Sequence, residues 1–254
     1  MKLYYIFLLV MFFLFSGRVE QTPRTKSVTP VSVRDTTKKK NTHWWNSSNT
    51  STYKKSKSSY SPSKKTYKRT GVFFGSFDPP HIGHVNIVTA ALNSGKVDRV
   101  IVVPAYKSVW KNTETRWEYR LTMAKETFDN IPGVVVDGIE YRIADGKPLP
   151  TYKTIEALKD IYGEFTIITS AETYKEIPRW QHGEEILKNN KFLVVDVAHF
   201  DSENISRSEV DVIYAPDITI CSTAIRKWVD DGKIILPFVT DEVNSIIRKL
   251  GLYK

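Results

Sequence analysis

The stretch from Gly71 to Asn93 constrains this chain more than any other, because it demands a strand, a tight loop and a helix in direct succession. Val72, Phe73 and Phe74 form a short apolar run suited to a buried first strand. Gly75-Ser76-Phe77-Asp78-Pro79-Pro80 then ends that strand, since neither proline can donate to a ladder. Beyond it Ile82, Val85, Ile87, Val88, Ala91 and Leu92 make a helical apolar stripe. His81 and His84 therefore stand at the mouth of a helix, three residues apart. Such a mouth offers backbone N–H groups and the positive end of a helix dipole, which suit a phosphate, and the two imidazoles add side-chain donors.

The 254 residues leave room for one substantial domain with additions, and 41% hydrophobic residues suffice for a core. The net charge of +9 is unevenly spread. Arg18 to Thr70 holds fourteen Lys and Arg against only Glu20 and Asp35, a local charge of +12, whereas the residues from Gly71 onward carry twenty-two basic against twenty-six acidic side chains. The globular part is thus mildly acidic, which speaks against nucleic-acid binding by charge. Leu3 to Phe15 is an unbroken apolar run of thirteen residues behind Lys2, laid out as a signal peptide or a short signal anchor over residues 1–17. No small-residue cleavage site follows it, so an uncleaved anchor is expected. The basic residues behind the run would hold the following domain in the cytoplasm. Residues 18–70, rich in Ser, Thr, Lys and Tyr, read as a disordered basic linker. Its lysine clusters, interleaved with Trp44, Trp45 and several tyrosines, suit an anionic lipid surface, a nucleic acid or a solvated tether with no ligand. The single cysteine, Cys221, excludes an internal disulfide.

Residues 71–254 alternate strands and helices. Further strands are expected at Arg99–Val103, Val134–Asp137, Phe165–Thr169 and Phe192–Val197, and helices at Trp117–Phe128, through Leu158, at Glu184–Leu187, up to Asp231 and over Asp241–Leu250. This pattern predicts an α/β, Rossmann-like doubly wound parallel sheet of about five strands. The loop after Val103 carries Lys111 and leaves the carboxyl end of a strand, where open sheets of this kind bind ligands. Ser222 and Thr223 open a late helix and offer hydroxyl and backbone donors, with Arg226 one turn on. Thr154 suits the N-cap of the helix through Leu158.

Gly75, Phe77, Pro79, His81, Gly83 and His84 together resemble the Gly-x-Phe-x-Pro-x-His-x-Gly-His signature of the adenylyl- and cytidylyltransferases. The later pattern narrows the resemblance to the nicotinate (nicotinamide) mononucleotide adenylyltransferases. Arg120-Leu121-Thr122-Met123 is similar to that family's Arg-x-x-Met, with Met123 a core residue. Thr151-Tyr152-Lys153-Thr154 is similar to its Ser-Tyr-Thr, with Lys153 as an extra residue. Ile177-Pro178-Arg179-Trp180 matches its tryptophan, and Cys221-Ser222-Thr223-Ala224-Ile225-Arg226 its Ser-Ser-Thr-x-Ile-Arg, followed by a tail ending Gly251-Leu252-Tyr253. The resemblance implies adenylyl transfer from ATP, with Mg²⁺ held mainly by the phosphates, to a pyridine mononucleotide. His81, His84 and Arg226 would be catalytic. Gly75, Ser76, Phe77, Lys111, Glu172, Ser222 and Thr223 would bind ATP or its phosphates, and Thr154 and Trp180 would meet the pyridine ring. Two departures stand out: Glu172 where the family has an aspartate near the ATP ribose, and Asp196 where it has an arginine. Three rivals share features of the chain: a transferase acting on phosphopantetheine or a cytidylyl acceptor, a class I aminoacyl-tRNA synthetase carrying His-Ile-Gly-His, and a non-catalytic membrane-tethered nucleotide-binding module. The synthetase would require a second lysine-rich loop and a tRNA-binding domain that the chain lacks. A homo-oligomer is compatible with each.

Overall fold

The computed structural model describes residues 67–107, 115–197, 205, 210–218 and 220–254. The proposed anchor, nearly all of the basic linker and Lys111 lie outside the described residues. β-branched and aromatic runs supply the strands: β1 (Thr70–Gly75), β2 (Arg99–Pro104), β3 (Val134–Val136), β4 (Thr166–Ser170), β5 (Lys191–Val197) and β6 (Asp211–Ala215). All pair in parallel, in the order β3-β2-β1-β4-β5-β6. The sheet has six strands, one more than the sequence pattern suggests. β6 escapes because it lies at the sheet's edge, where Tyr214 is 64% exposed and the buried periodicity is weak. The strand expected at Phe165 begins one residue later, with Phe165 buried just ahead of the ladder.

Each strand presents alternate residues to two layers. Phe73, Val100, Val102, Leu193 and Val195 face a cluster completed by α1 (Ile82–Asn93) and α2 (Trp117–Phe128). Val72, Ile101, Val103, Ile167 and Val194 face the other layer, built from α3 (Ile139–Ile143), α4 (Thr151–Tyr162), α5 (Ala171–Glu176) and α6 (Gly183–Asn189). A third cluster joins Met123 of α2 to α7 (Ser222–Asp230) and α8 (Asp241–Leu250) through Ile225, Ile235, Val239, Val243 and Ile247. Met123 is a core residue, as its spacing suggests. At the N-terminal edge the fold begins slightly before the expected boundary. Thr70 already belongs to β1, and Arg69 is ion-paired with Asp98. Among the described residues no helix is long and apolar enough to cross a membrane.

The strand order reverses between β1 and β4, so the loops leaving these two neighbours diverge to opposite sides of the sheet. That crevice at the carboxyl ends is where a doubly wound sheet receives a ligand. The loop 76–81 and the turn Ser170–Glu172 stand on its two flanks.

Candidate active site

Two glycines make the histidine loop possible. A Cβ on Gly75 would lie 2.8 Å from the Phe77 ring, and a Cβ on Gly83 would lie 3.0 Å from both Cε1 and Nδ1 of His81. The spacing of the signature is therefore steric: each glycine yields its side-chain space to a ring folded back over it. Phe77 is 1% exposed and packs edge-on against Phe73, Phe128 and His84. Its side chain is core, so only its backbone can meet a nucleotide.

His81 is the N-cap of α1. Its Nδ1 accepts from the Gly83 N–H at 3.2 Å, while the Nδ1 of His84 accepts from the His81 N–H at 3.2 Å, closing a capping box in which histidines replace the customary hydroxyl and carboxyl groups. Both Nδ1 atoms being acceptors, the neutral rings carry their protons on Nε2, which are donors. The rings lie 3.7 Å apart, centre to centre. Burial pushes the pKa of His81 down to about 4, so near neutral pH it is an uncharged donor with a fixed tautomer.

The backbone of the α1 mouth is less available than its sequence suggests. The Ile82 N–H donates to Phe238 O at 2.9 Å and the His84 N–H to His81 O, while the His81 and Gly83 N–H groups serve the two imidazoles. The backbone of the first turn is thus saturated, so an anion there would meet imidazole rather than backbone N–H groups. Helix α7 is the complementary case. Its N-cap, Cys221, makes no side-chain cap bond, and the N–H groups of Ser222, Thr223 and Ala224 take no partner among the described residues. The open helix mouth is that of α7.

α7 is pinned against the histidine loop by two contacts, and a third braces the arginine within the helix. Ser222 Oγ donates to Pro79 O at 2.8 Å, Arg226 Nη1 donates to Asp78 O at 2.7 Å, and Arg226 Nη2 donates to Thr223 Oγ1 at 3.1 Å. The hydroxyl of Ser222 is therefore spent on the loop, and Arg226 has one nitrogen on the loop backbone and the other beside the exposed Thr223. The chain terminus joins the same clamp, because Tyr253 Oη donates to Asp78 Oδ1 at 2.7 Å. Burial beside the Asp78 carboxylate raises the Tyr253 phenol far above its usual range, so it stays a donor.

On the far side of the crevice, Trp180 is half-buried at the end of the 3-10 turn Ile177–Arg179, and it lines a pocket with Phe74, Thr151, Ile155 and Thr169. Thr154 is not in that pocket. It is fully buried in the first turn of α4, donating to Glu140 Oε1 at 2.9 Å, and the helix N-cap is Pro150. The residue presented to the pocket is Thr151, one turn earlier. Thr151 and Thr154 are three residues apart on the same side of α4: Thr154 turns to Glu140, whereas Thr151 at the start of the helix lines the pocket. Glu172 is exposed in the first turn of α5, beside the carboxyl end of β4. Asp196 ends β5 buried, with Oδ1 making no hydrogen bond.

Sequence reasoning missed Arg120, Glu140 and Tyr253. Arg120 is 1% exposed and donates to Ser76 O, Ala105 O, Tyr106 O and Thr115 O. Its place in an Arg-x-x-Met run was visible, but nothing in the sequence shows that four carbonyls converge on it.

Residues 72–228 match the model of the cytidylyltransferase-like family. The chain is 30% identical over 197 residues to the "Probable nicotinate-nucleotide adenylyltransferase" of Gemmatimonas aurantiaca, covering 73% of this chain and 92% of that protein. It is 32% identical to the protein of the same name from Shouchella clausii, covering 73% and 97%. In structure it resembles the Plasmodium falciparum nicotinic acid mononucleotide adenylyltransferase complexed with NaAD, with a TM-score of 0.61 at 20% identity over 73% of this chain and 97% of that one. The signature loop, the α7 motif and these likenesses agree, and the chain belongs to the nicotinate-nucleotide adenylyltransferases of the cytidylyltransferase-like family.

Proposed function

We propose that the protein transfers the adenylyl group of ATP to nicotinate mononucleotide, forming the dinucleotide and pyrophosphate in NAD biosynthesis. The observation that carries this reading is the histidine pair of the signature loop, its rings 3.7 Å apart and each Nδ1 tied to the backbone, clamped beside the open mouth of α7. A phosphate oxygen of the mononucleotide attacks the α-phosphorus in line. The new P–O bond forms as the bond from the α-phosphorus to the bridging oxygen breaks, and pyrophosphate leaves with that electron pair. The chain supplies no nucleophile. His81 and His84 donate to the α-phosphate oxygens as charge builds, the α7 N–H groups and Arg226 receive the β- and γ-phosphates, and the backbone of Gly75–Phe77 lies along the nucleotide. By the resemblance of the sequence Lys111 would add a cation, and Glu172 faces the ribose. Trp180, with Thr151 beside it, stacks on the pyridine ring, whose electron-poor face suits an indole. Mg²⁺ would enter with the substrate, held mainly by its phosphates.

The test is turnover. Purified full-length protein should release pyrophosphate and form dinucleotide from ATP and nicotinate mononucleotide, faster than from the nicotinamide form. Folded protein that yields no dinucleotide from either would overturn the reading in favour of a non-catalytic nucleotide-binding module.

We further infer that the enzyme is tethered to a membrane with this domain in the cytoplasm, where ATP is found. Leu3–Phe15 and the +12 segment behind it support this, the lysines adding attraction to anionic lipid. Fractionation of cells expressing the chain with and without residues 1–17 checks it: full-length protein in the soluble fraction would refute the tether.

A further inference from the structure

A buried acid with no role in the reaction above lies behind the site. Glu140, in α3, is 4% exposed. Its Oε2 accepts the Tyr106 N–H at 2.8 Å and its Oε1 accepts Thr154 Oγ1 at 2.9 Å. The carbonyl of the same Tyr106 accepts from Arg120 Nη2 at 2.7 Å, and Arg120 Nη1 reaches Ala105 O at 2.6 Å and Ser76 O at 2.8 Å. A buried cation and a buried acid thus bracket residue 106 from both sides. Residue 106 lies just past the carboxyl end of β2, and Ser76 belongs to the histidine loop. Through Thr154, Glu140 also holds the first turn of α4, which presents Thr151 to the Trp180 pocket.

We propose that Glu140, acting with Arg120 through the Tyr106 peptide, is a positioning residue of adenylyl transfer: it fixes the distance between the histidine loop and the pyridine pocket. The inference rests on the transferase reading above. It deepens that reading by joining both substrate subsites to one internal strut.

The strut is costly to the fold, which separates positioning from mere support. Burial raises the Glu140 carboxyl to about 7, against an ordinary 4.5, despite the opposing effects of the Tyr106 and Thr154 bonds and of Arg120. A carboxyl shifted upward stabilises the fold below about pH 4.5 and withdraws that contribution as pH rises through about 7. At pH 8 the folded protein carries a carboxylate it would be more stable without. The charged group facing Glu140 is Arg120. Arg120 in turn feels Asp78, Tyr253 and Glu118. A glutamine can keep both hydrogen bonds, accepting from the Tyr106 N–H while Thr154 turns its hydroxyl to accept. It cannot keep the charge that draws the Tyr106 peptide against Arg120.

The experiment is Glu140→Gln in the full chain, with steady-state kinetics for both substrates from pH 5.5 to 8.5 beside thermal unfolding. The expected result is opposite signs: at pH 8 kcat/KM falls about tenfold while the unfolding temperature rises or holds. The ratio of wild-type to variant kcat/KM should also shrink toward one as pH falls below about 6. That ratio cancels the titration of the substrates' own phosphates. Thr154→Val, which cuts only the arm to α4, should raise KM for the mononucleotide more than KM for ATP. Wild-type kinetics in Glu140→Gln, or a loss of activity in step with a fall in unfolding temperature, would overturn the positioning role. A wild-type chain that forms no dinucleotide would instead fail at the transferase reading and take this inference with it.

Discussion

Replacing His81 by asparagine separates the two tasks that the structure assigns to one side chain. His81 caps α1 through Nδ1, and in the proposed reaction its Nε2–H donates to the α-phosphate. Asparagine is among the best N-cap residues, and its Oδ1 can accept the Gly83 N–H, so the cap survives while the far donor disappears. Losing a preorganised donor to a developing phosphoryl charge costs about 10²–10³ in kcat, or about 3–4 kcal/mol of transition-state stabilisation. Stability near pH 7.5 should change by about 1 kcal/mol or less, the scale of exchanging one good cap for another. His81→Ala would lose both functions, adding about 1 kcal/mol of destabilisation to the same rate loss. The pH dependence supplies an independent reading. A histidine whose pKa falls from 6.5 unfolded to about 4 folded contributes stability above about pH 6.5 and loses it as pH drops through 4. With a shift near 2.5 units and His81 buried, that contribution is on the order of 3 kcal/mol. His81→Asn should therefore flatten the acid limb of unfolding temperature against pH between 6.5 and 4. Steady-state kinetics and calorimetry across that range decide the matter. A variant with near-normal kcat would show that the buried Nε2–H does no chemistry, and an unchanged acid limb would show that the low pKa is misassigned.

His84→Gln should behave in parallel, because glutamine at the third helical position restores the capping box to the His81 N–H yet offers no ring donor at the same place; kcat should fall at least a hundredfold at little cost in unfolding temperature. Gly83→Ala places a Cβ 3.0 Å from the His81 ring, so kinetics should show a loss of rate larger than the shift in unfolding temperature warrants. Trp180→Ala should raise KM for the mononucleotide about tenfold with KM for ATP nearly constant, the value of one aromatic stacking contact, as read from kinetics with each substrate varied in turn. Tyr253→Phe removes the hydroxyl from the buried Asp78 carboxylate and should destabilise the protein by about 1–3 kcal/mol in thermal unfolding.

What the sequence disclosed and what it withheld divide along a physical line. The order of strands and helices, the parallel sheet and the two motif loops were legible because each is written in adjacent residues: an apolar run, a proline pair, a histidine at a helix mouth. The sixth strand was not, since an edge strand with a solvent-facing tyrosine has no strong period to read. The place of Thr154 was not legible either, since its hydroxyl is taken by Glu140, fourteen residues away, and it is Thr151 that lines the pocket.

The other differences have a single cause. Which donors in the site are free depends on partners more than a hundred residues away: Phe238 takes the Ile82 N–H, Pro79 takes the Ser222 hydroxyl, Asp78 takes Arg226 and Tyr253. The first-motif loop therefore acquires its working geometry only once α7 and the last residues of the chain have closed over it. A motif of this kind specifies which groups are brought to the phosphate, whereas the closing segments decide which of them remain available. In the proposed reaction the histidines therefore act through their side chains because the α1 backbone is already committed, and the backbone contacts to the leaving phosphates pass to α7, whose first turn takes no partner among the described residues.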